Sequence, residues 1–441
     1  MRLSQPAFLI KLAATILFIV LRSLSIFSLA VALAGLALTA GCVPKEGNEI
    51  HLRASFWNPP GVDREIARRF EATHPGVKID LLITGGRYAE KLQSMIVAGN
   101  EPDIIMVHDT FYHDWAARGV FADLTEFVHT EDQADPIMPG LIDVFTREQR
   151  TYALPIDCNA MVTFGNNAAA DYVGIKYPWP AFSWDELEKL GPRLSRSGNP
   201  ASPTEYMCAL PQPPFFFTAF GARCFDDLYH PRKIVVESPV TTAAMEYWRR
   251  LHQRGWAVPR STLLDQGESE MFRDGRIAFL FWGRAVARTV RANSALRWDV
   301  APVPSGPIGR SIPHLTMGVG ISRRTKHPEL AREFLHFYAS DVGVEFPVQL
   351  GQIVPVRRRQ ATGELLLGQH PPASPQAFVE AMETGITAVA YCPGRQAVEE
   401  IITKRFEQVL AEPDVPVERI VAGLGADLRA WLQQMQQKGY L

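Results

Sequence analysis

The sequence predicts an α/β protein whose two lobes are joined by three crossing segments. The chain has 441 residues, 47% of them hydrophobic, so it is longer than one typical domain and has enough apolar residues for two cores. Its first part alternates strands and helices, which indicates a mostly parallel sheet. Three extended stretches marked by proline, at residues 152–166, 300–304 and 351–355, are suited to run between lobes.

Strands and helices alternate from residue 51 to residue 107. Asp63 is placed to cap the first helix, and Gly99 is placed to end the second. The three predicted strands lie at residues 51–57, 77–83 and 103–107. Ligands in open sheets of this kind bind outside the carboxyl ends of the strands. The side chains predicted to surround that crevice are Trp57, Asn58, Arg87 and Asp109.

The first crossing carries two polar residues just past a proline. Pro155 fixes its own φ and biases the residue before it toward an extended conformation, so residues 152–166 are predicted to run through the cleft floor. Asp157 and Asn159 then lie at a lobe boundary, where ligand pockets tend to form. Taken alone, the stretch also fits an ordinary core strand with a surface aspartate; its neighbours on both sides favour the crossing.

The second lobe is predicted from a helix start, an aromatic run and an apolar strand. Ser183 and Glu186 have the spacing of a capping box, which indicates a helix start. The aromatic run at residues 215–221 is more typical of buried core than of a binding surface. A turn at residues 272–276 leads into an apolar strand whose exit, Trp282-Gly283-Arg284, is predicted to face the cleft. The last helix has an apolar stripe suited to docking rather than to a membrane.

The N-terminus is predicted to be an export signal covering residues 1–41. Its later part is apolar with Arg22 in the middle, and small residues precede Cys42. Leu38-Thr39-Ala40-Gly41-Cys42 resembles the bacterial lipobox, in which cleavage before the cysteine accompanies its lipidation, although that pattern prefers leucine where Thr39 stands. We therefore expect Cys42 to carry lipid and residues 42–47 to form a tether. A retained membrane helix and a plain secretory cleavage are the alternatives.

Charge and cysteine usage exclude several kinds of partner. The formal net charge is −2 and no strongly basic stretch is present, so nucleic acid is not expected to bind. Cys208 and Cys224 are close enough in sequence for a local disulfide in an oxidising compartment. There is no C-x-x-C pair, and we expect neither a metal nor a cofactor.

Short motifs follow one another in a specific order along nearly the whole mature chain. They are Trp57 at the end of the first strand, Ala-Gly-Asn-Glu-Pro-Asp at 98–103, Tyr-Ala-Leu-Pro at 152–155, Phe-Ser-Trp-Asp-Glu-Leu at 182–187, Phe-Arg-Asp-Gly at 272–275, Trp-Asp-Val-Ala-Pro-Val-Pro at 298–304, His-Pro-Glu-Leu-Ala-Arg-Glu-Phe-Leu at 327–335 and Gly-Gln-Ile-Val-Pro at 351–355. This order resembles bacterial extracellular solute-binding protein family 1, the maltose-binding-protein-like receptors of sugar ABC transporters.

The resemblance implies a fold, a partner and a location. The fold is periplasmic-binding-protein-like of type II, with an N-terminal lobe of residues 48–156 and 305–350 and a C-terminal lobe of residues 157–304 and 351–441. The implied protein is a monomeric receptor, not an enzyme, anchored by lipid to a membrane at the periplasm or cell surface. It captures a small solute, with a carbohydrate favoured, and delivers it to ABC transporter permease subunits.

The predicted ligand-binding set combines the crevice residues with the crossings and the strand exit. Its members are Trp57, Asn58, Arg87, Asp109, Asp157, Asn159, Trp282, Gly283, Arg284, Gly318 and Gln352. The sequence departs from the family where a sugar-stacking tryptophan commonly follows the strand, because Ala285 stands there and leaves Trp282 as the stacking platform. The usual Tyr-Tyr-Asn ending of the crossing strand is Phe164-Gly165-Asn166.

Two alternatives stay open. An anionic solute such as a phosphorylated polyol would use Arg87 and Arg284 as forked donors, with a helix N-terminus supplying N–H groups. A secreted carbohydrate-active enzyme is the alternative of another class. Against the enzyme, the sequence has no G-x-S-x-G elbow, no H-E-x-x-H and no glycine-rich phosphate loop, and the adjacent acids Asp226 and Asp227 are more typical of a solvated loop.

Overall fold

The computed structural model describes residues 49–58, 60–83, 87–176, 179–384 and 387–441. Residues His51–Leu441 form one compact unit. The predicted signal at residues 1–41, the tether at residues 42–47 and the lipidation site Cys42 lie outside the described residues.

Eleven strands in the described residues form a five-stranded sheet, a four-stranded sheet and a two-stranded hairpin. The strands are β1 Ile50–Phe56, β2 Val77–Ile83, β3 Ile104–His108, β4 Thr146–Arg147, β5 Arg150–Thr151, β6 Leu154–Ala160, β7 Val162–Asn166, β8 Tyr206–Ala209, β9 Ile277–Trp282, β10 Trp298–Pro302 and β11 His314–Ile321.

The helices cover both sheets. They are α1 Pro60–Thr73, α2 Tyr88–Val97, α3 Asp109–Ala117, α4 Thr125–Ala134, α5 Leu141–Val144, α6 Asn167–Val173, α7 Trp184–Glu188, α8 Gly191–Leu194, α9 Pro213–Ala219, α10 Pro239–Gln253, α11 Arg260–Gln266, α12 Glu268–Arg273, α13 Ala287–Arg291, α14 Pro328–Ala339, α15 Asp341–Gln349, α16 Arg358–Ala361, α17 Glu364–Leu367, α18 Gln376–Glu383, α19 Arg395–Ala411 and α20 Val417–Gln437. A 3₁₀ turn covers Arg284–Val286.

The five-stranded sheet has the order β2-β1-β3-β11-β6. β1 and β3 are parallel, as the alternating pattern predicts, whereas β11 is antiparallel to both β3 and β6. β11 therefore inserts a segment from late in the chain between two early strands. Because β11 is antiparallel to both its neighbours, β3 and β6 point the same way and their carboxyl ends meet at one edge of the sheet.

The four-stranded sheet has the order β10-β7-β9-β8. Within it β8 and β9 are parallel, while β7 is antiparallel to β9 and β10. The two sheets are linked directly, because β6 ends at Ala160 and β7 begins at Val162. The expected lobe boundary after residue 156 falls inside β6, which pairs with β11 as far as Ala160.

The stretch after Gly351 stays beside the first sheet before it reaches the second. The Met138 N–H donates to the carbonyl of Val356 at 2.8 Å. Arg357 donates to the carboxylate of Glu131, on α4, at 2.5 Å, and both side chains are nearly buried. Residues 356–361 thus pack near α4, although residues from 351 onward were expected in the second lobe.

Several local predictions are confirmed and one is wrong. The Ser183–Glu186 capping box is present at the start of α7. Gly99 follows α2 with φ +67°, which only glycine adopts without strain. Phe216 and Phe217 are buried in α9, as the aromatic run indicated. Asp63 does not cap α1: it lies inside the first turn, buried, where it accepts a hydrogen bond from Asn58.

The described cysteines are all buried free thiols. The candidate disulfide between Cys208 and Cys224 is therefore not formed in the structure. Burial raises the pKa of both thiols, because the charged thiolate is poorly solvated in the apolar core. None of the described helices combines the length and the apolarity that crossing a bilayer requires.

Candidate functional site

The first sheet presents an aromatic cluster at the carboxyl ends of β1 and β3. Trp57 follows β1 directly and is half-buried. Its ring meets Tyr88 edge-on at 4.7 Å between centroids and Phe111 at 5.9 Å. His108, the last residue of β3, lies 6.0 Å from the same ring. The cluster gives Trp57 a fixed orientation at the strand edge, which is what a stacking platform needs.

The side chain of Asn58 is buried and bonds to other residues of the protein interior. It is 3% exposed, and its amide donates to the carboxylate of Asp63 at 2.8 Å and to the hydroxyl of Tyr338 at 3.1 Å. Burial raises the pKa of Asp63 to about 7, partly offset by this hydrogen bond. In this arrangement Asn58 holds the turn after β1 and has no free donor for a solute.

Arg87 is exposed at the start of α2 and is paired with Glu90 one turn later. An exposed pair of this kind holds its side chains weakly, because water competes for both charges. Arg87 is therefore free to rearrange.

Asp109 forms a buried ion pair with a residue that the sequence did not suggest, Arg395. Their side chains are 0% and 1% exposed, and Nη1 of Arg395 lies 2.9 Å from Oδ2 of Asp109. Burial opposes the charge of Asp109, but Arg395 and His108 outweigh it and hold the pKa of the carboxyl below its usual range. The pair joins α3, which packs on β3 and β11, to α19, which packs on α9, α10 and α20.

A second contact reinforces this junction between α3 and α19. Asp114 accepts hydrogen bonds from the backbone N–H of Gly394 at 3.1 and 3.2 Å. Gly394 immediately precedes α19, so the carboxylate meets unsatisfied N–H groups and the positive end of the helix dipole. Asp109 and Asp114 together hold the first half of the molecule, the five-stranded sheet with α3 and the hairpin β4–β5, against the second half, the four-stranded sheet with α9, α10, α19 and α20.

Asp157 belongs to the first crossing and is wholly buried against the segment around Val354. Its carboxylate accepts from the N–H of Val354 at 2.8 Å and from the side-chain amide of Asn159 at 2.5 Å. Burial raises its pKa to about 8, with the hydrogen bond from Val354 acting in the opposite direction. The Cys158 N–H donates to the Val354 carbonyl at 3.2 Å. Asp157 therefore ties two connecting segments together.

Asn159 joins this cluster to the exit of β9. Its side-chain oxygen accepts from the N–H of Ala285 at 3.0 Å. A Cβ on Gly283 would lie 2.7 Å from the Cβ of Asn159, so only glycine fits between the strand exit and the crossing.

Arg284 uses its guanidinium to anchor the chain. It is 1% exposed and donates to the carbonyl of Ile353 at 2.7 Å, the carbonyl of Val348 at 3.0 Å and the side chain of Gln369 at 2.7 Å. Burial lowers its pKa to about 9, and neighbouring Arg291 acts in the same direction. Arg284 thus stabilises the connection after α15 with three hydrogen bonds from a buried guanidinium.

Trp282 is half-buried at the end of β9, edge-on to Phe215 with centroids 6.3 Å apart. It lines a small cavity of about 80 Å³ with Leu210, Gln212 and Phe281 at the carboxyl ends of β8 and β9. Gln212 also lines a groove of about 360 Å³ beside Gln396 of α19. No sequence signal marked Gln212, because β8 was not among the predicted strands.

The last two predicted residues lie on different elements. Gly318 is in β11, where its added Cβ would meet Phe145 at 3.0 Å. Gln352 is half-buried, and its backbone N–H donates to the carbonyl of Pro347 at 2.9 Å. The structure therefore brings Asp157, Asn159, Gly283 and Arg284 into one cluster and places Trp57 and Trp282 at the carboxyl ends of their own sheets.

The donor set does not suggest a metal centre. Across the described ranges, no group of three or more His, Cys, Asp or Glu side chains is arranged to hold a metal ion.

The comparisons with known proteins agree with this architecture. The family model described as bacterial extracellular solute-binding protein matches residues 54–345. The chain belongs to the bacterial extracellular solute-binding proteins. A search of curated proteins gives no match.

Solved structures of solute-binding proteins share the fold at low sequence identity. An ABC substrate-binding protein from Listeria monocytogenes in complex with cycloalternan is 20% identical and has a TM-score of 0.76 over 89% of this chain and 100% of that one. A solute-binding protein from Thermotoga lettingae bound with α-D-tagatose is 18% identical, with a TM-score of 0.74 over 86% and 98%. UgpB from Mycobacterium tuberculosis in complex with glycerophosphocholine is 20% identical, with a TM-score of 0.72 over 87% and 99%.

Proposed function

We propose that this solute-binding protein is an extracytoplasmic receptor that captures a carbohydrate between its two sheets and delivers it to the permease of an ABC transporter. The observation that carries the proposal is the placement of Trp57 and Trp282, each half-buried and each at the carboxyl ends of strands in a different sheet. Two indole faces of this kind suit the C–H faces of a sugar ring. Because the chain belongs to the solute-binding proteins, a receptor that binds sugar through these rings is consistent with its family.

The polar residues around the tryptophans have two kinds of role in this proposal. Gln212 lies near the exits of β8 and β9 and supplies an amide group, which donates to and accepts from sugar hydroxyls, whereas Asn159 holds the crossing to the exit of β9 through its hydrogen bond from Ala285. Asp157, Arg284 and Asn58 act indirectly, since their hydrogen bonds hold the crossing and the turn in place.

The ligands of similar proteins support a carbohydrate. The relatives from Listeria monocytogenes and Thermotoga lettingae were solved with cycloalternan and tagatose, and a Thermotoga maritima protein, 16% identical with a TM-score of 0.72 over 87% of this chain, was solved with maltose. The fold that they share with this chain accommodates both monosaccharides and oligosaccharides. The side chains at the strand edges would therefore determine the size of the sugar that binds here.

An anionic solute is the weaker alternative. UgpB shows that the fold accepts a phosphodiester. Here, however, both terminal nitrogens of the Arg284 guanidinium already donate to Ile353, Val348 and Gln369, and Arg87 is exposed beside Glu90. Neither arginine is presented as a forked anion clamp, which favours the neutral sugar.

Anchoring and location complete the proposal. Family membership places the chain among exported proteins. We propose further that Cys42 becomes the lipidated first residue and that residues 42–47 tether a monomeric receptor to a membrane surface, at the periplasm or the cell exterior.

The direct experiment identifies what the protein carries. The full chain is purified without refolding, and native mass spectrometry compares the intact complex with the same protein after denaturation. We expect a released neutral sugar, and its loss from a Trp282→Ala variant. Tyr172→Ala is the control, because this aromatic side chain is 40% exposed on α6. A released phosphorylated compound would favour the anionic alternative, and a turned-over product would favour an enzyme.

A further inference from the structure

A second cavity lies between the two halves of the molecule, away from the tryptophans. Its volume is about 450 Å³, within the usual range of small-molecule sites. One wall comes from the first half, with His113 of α3 and the hairpin β4–β5. The other comes from Tyr229, in the loop before α10, and from Tyr391, in the loop before α19. None of the residues predicted from the sequence to bind a ligand lines it.

The Asp109–Arg395 ion pair separates this cavity from the strand edge. His113 is one helical turn beyond Asp109 on α3. The Arg395 guanidinium lies 5.5 Å over the ring of Tyr391, and that ring is 6.2 Å from the ring of His113. The buried pair therefore forms one layer and the cavity lining forms the next, farther from the carboxyl ends of the strands.

Two polar groups of the lining have no protein partner. Tyr391 and His113 are each 2% exposed, yet the Tyr391 hydroxyl and Nε2 of His113 make no hydrogen bond with any described residue. A buried polar group without a partner is costly, so such groups usually meet a ligand or a water. Burial lowers the pKa of His113 to about 3, and Arg395 acts in the same direction, so the ring is neutral and Nε2 can serve hydroxyl groups.

The turn of the hairpin is strained at the cavity. Glu148 and Gln149 both line the cavity and have φ values of 51° and 64°, a left-handed conformation that favours glycine, asparagine or aspartate. Asn-Gly would relieve the strain in a turn of this type. Backbone strain of this kind concentrates at functional sites. We therefore attribute the presence of Glu148 and Gln149 at this turn to their place in the cavity lining.

The lining carries three carboxylates, of Asp143, Glu148 and Asp227, and one arginine, Arg147. Arg147 pairs with Glu148 at 3.0 Å. The Asp227 carboxylate accepts the backbone N–H groups of Tyr229 and His230 at 2.8 and 2.7 Å. The rings of Tyr229 and Tyr391 stack at 5.2 Å and give one wall an apolar face. Such a lining suits a molecule with C–H faces and hydroxyl groups, because carboxylate oxygens accept from hydroxyls and repel an anion.

We propose that this cavity is a second binding site, for a neutral polyhydroxylated molecule of up to about two sugar rings, separate from the site at the strand edges. Because its walls come from both halves, an occupant binds best when the halves are in contact and shifts the molecule toward that arrangement.

The test locates bound molecules by crystallography and measures affinity by calorimetry for glycerol, D-glucose, trehalose and maltose. The proposal expects density for at least one of them beside Tyr391, and a Tyr391→Phe variant that keeps the ring should bind it about tenfold more weakly. Trp282→Ala should leave this affinity unchanged. The paired variant Glu148→Asn/Gln149→Gly should melt at a higher temperature and bind more weakly, because it relieves the turn and removes the lining side chains.

Three results would overturn the proposal. The cavity could stay empty with all four molecules, or fill at crystal concentrations with no binding in solution. Tyr391→Phe and the turn variant could both bind as tightly as the wild type. Binding lost on Trp282→Ala but kept on Tyr391→Phe would leave the strand-edge site standing and remove this one, so the two proposals fail separately.

Discussion

Replacing Arg395 by methionine should destabilise the protein more than any exposed arginine replacement. The change leaves Asp109 charged, 0% exposed and without its guanidinium partner. The Asp109 carboxylate would stay buried and keep only the His108 ring beside it, at 2.8 Å. Breaking a buried ion pair from one side costs roughly 3–5 kcal/mol. The free energy of unfolding, measured by urea denaturation with tryptophan fluorescence, should fall by that amount.

A matched control and a double variant make this prediction sharp. Arg429 pairs with Glu237, but their side chains are 53% and 44% exposed, so Arg429→Met should cost less than about 1 kcal/mol. Asp109→Asn together with Arg395→Met removes both charges and should cost much less than the sum of the two single changes. If Arg395→Met costs no more than Arg429→Met, or if the two single changes add, the ion pair does not hold α3 against α19.

Three further outcomes follow from the site. Burial raises the pKa of Asp157 from 3.8 to about 8, so between these pH values the folded protein binds more protons than the unfolded chain. The free energy of unfolding should therefore fall as pH rises from about 4 to about 8, and it should fall less in Asp157→Asn. Trp282→Ala should weaken sugar binding by roughly 1–3 kcal/mol, or about one to two decades in Kd, by calorimetry; unchanged binding would remove the stacking platform. Cys42→Ala should move the protein from the membrane to the soluble fraction on cell fractionation, and unchanged retention would indicate an uncleaved helix.

Local patterns predicted the fold well, because the signals lie within a few residues of one another. The strand at residues 77–83 is present with those bounds, since its turn and its apolar residues are adjacent in sequence. The Ser183–Glu186 capping box is likewise a relation across three residues. Asp63 shows the limit, because its burial against Asn58 and Tyr338 depends on how α1 packs on α14.

The candidate site was harder to predict, because its side chains take partners from distant segments. Arg395 lies 286 residues from Asp109, and no motif links them. Arg284 is a chemically reasonable ligand donor at a strand exit, yet its donors go to Ile353 and Val348. A single sequence shows that a charged residue stands at a strand end, whereas the fold decides whether that charge faces a solute or the chain itself.

The most direct measurement of the central claim is calorimetric titration of the full chain with a panel of neutral mono- and oligosaccharides, repeated on a Trp57→Ala/Trp282→Ala double variant. The account predicts that at least one sugar shows a saturable binding event in the wild type that the double variant loses, whereas a binding event lost only in Tyr391→Phe belongs to the second cavity. Binding of no sugar, or equal binding by both proteins, would contradict a carbohydrate receptor whose site lies between the two tryptophans.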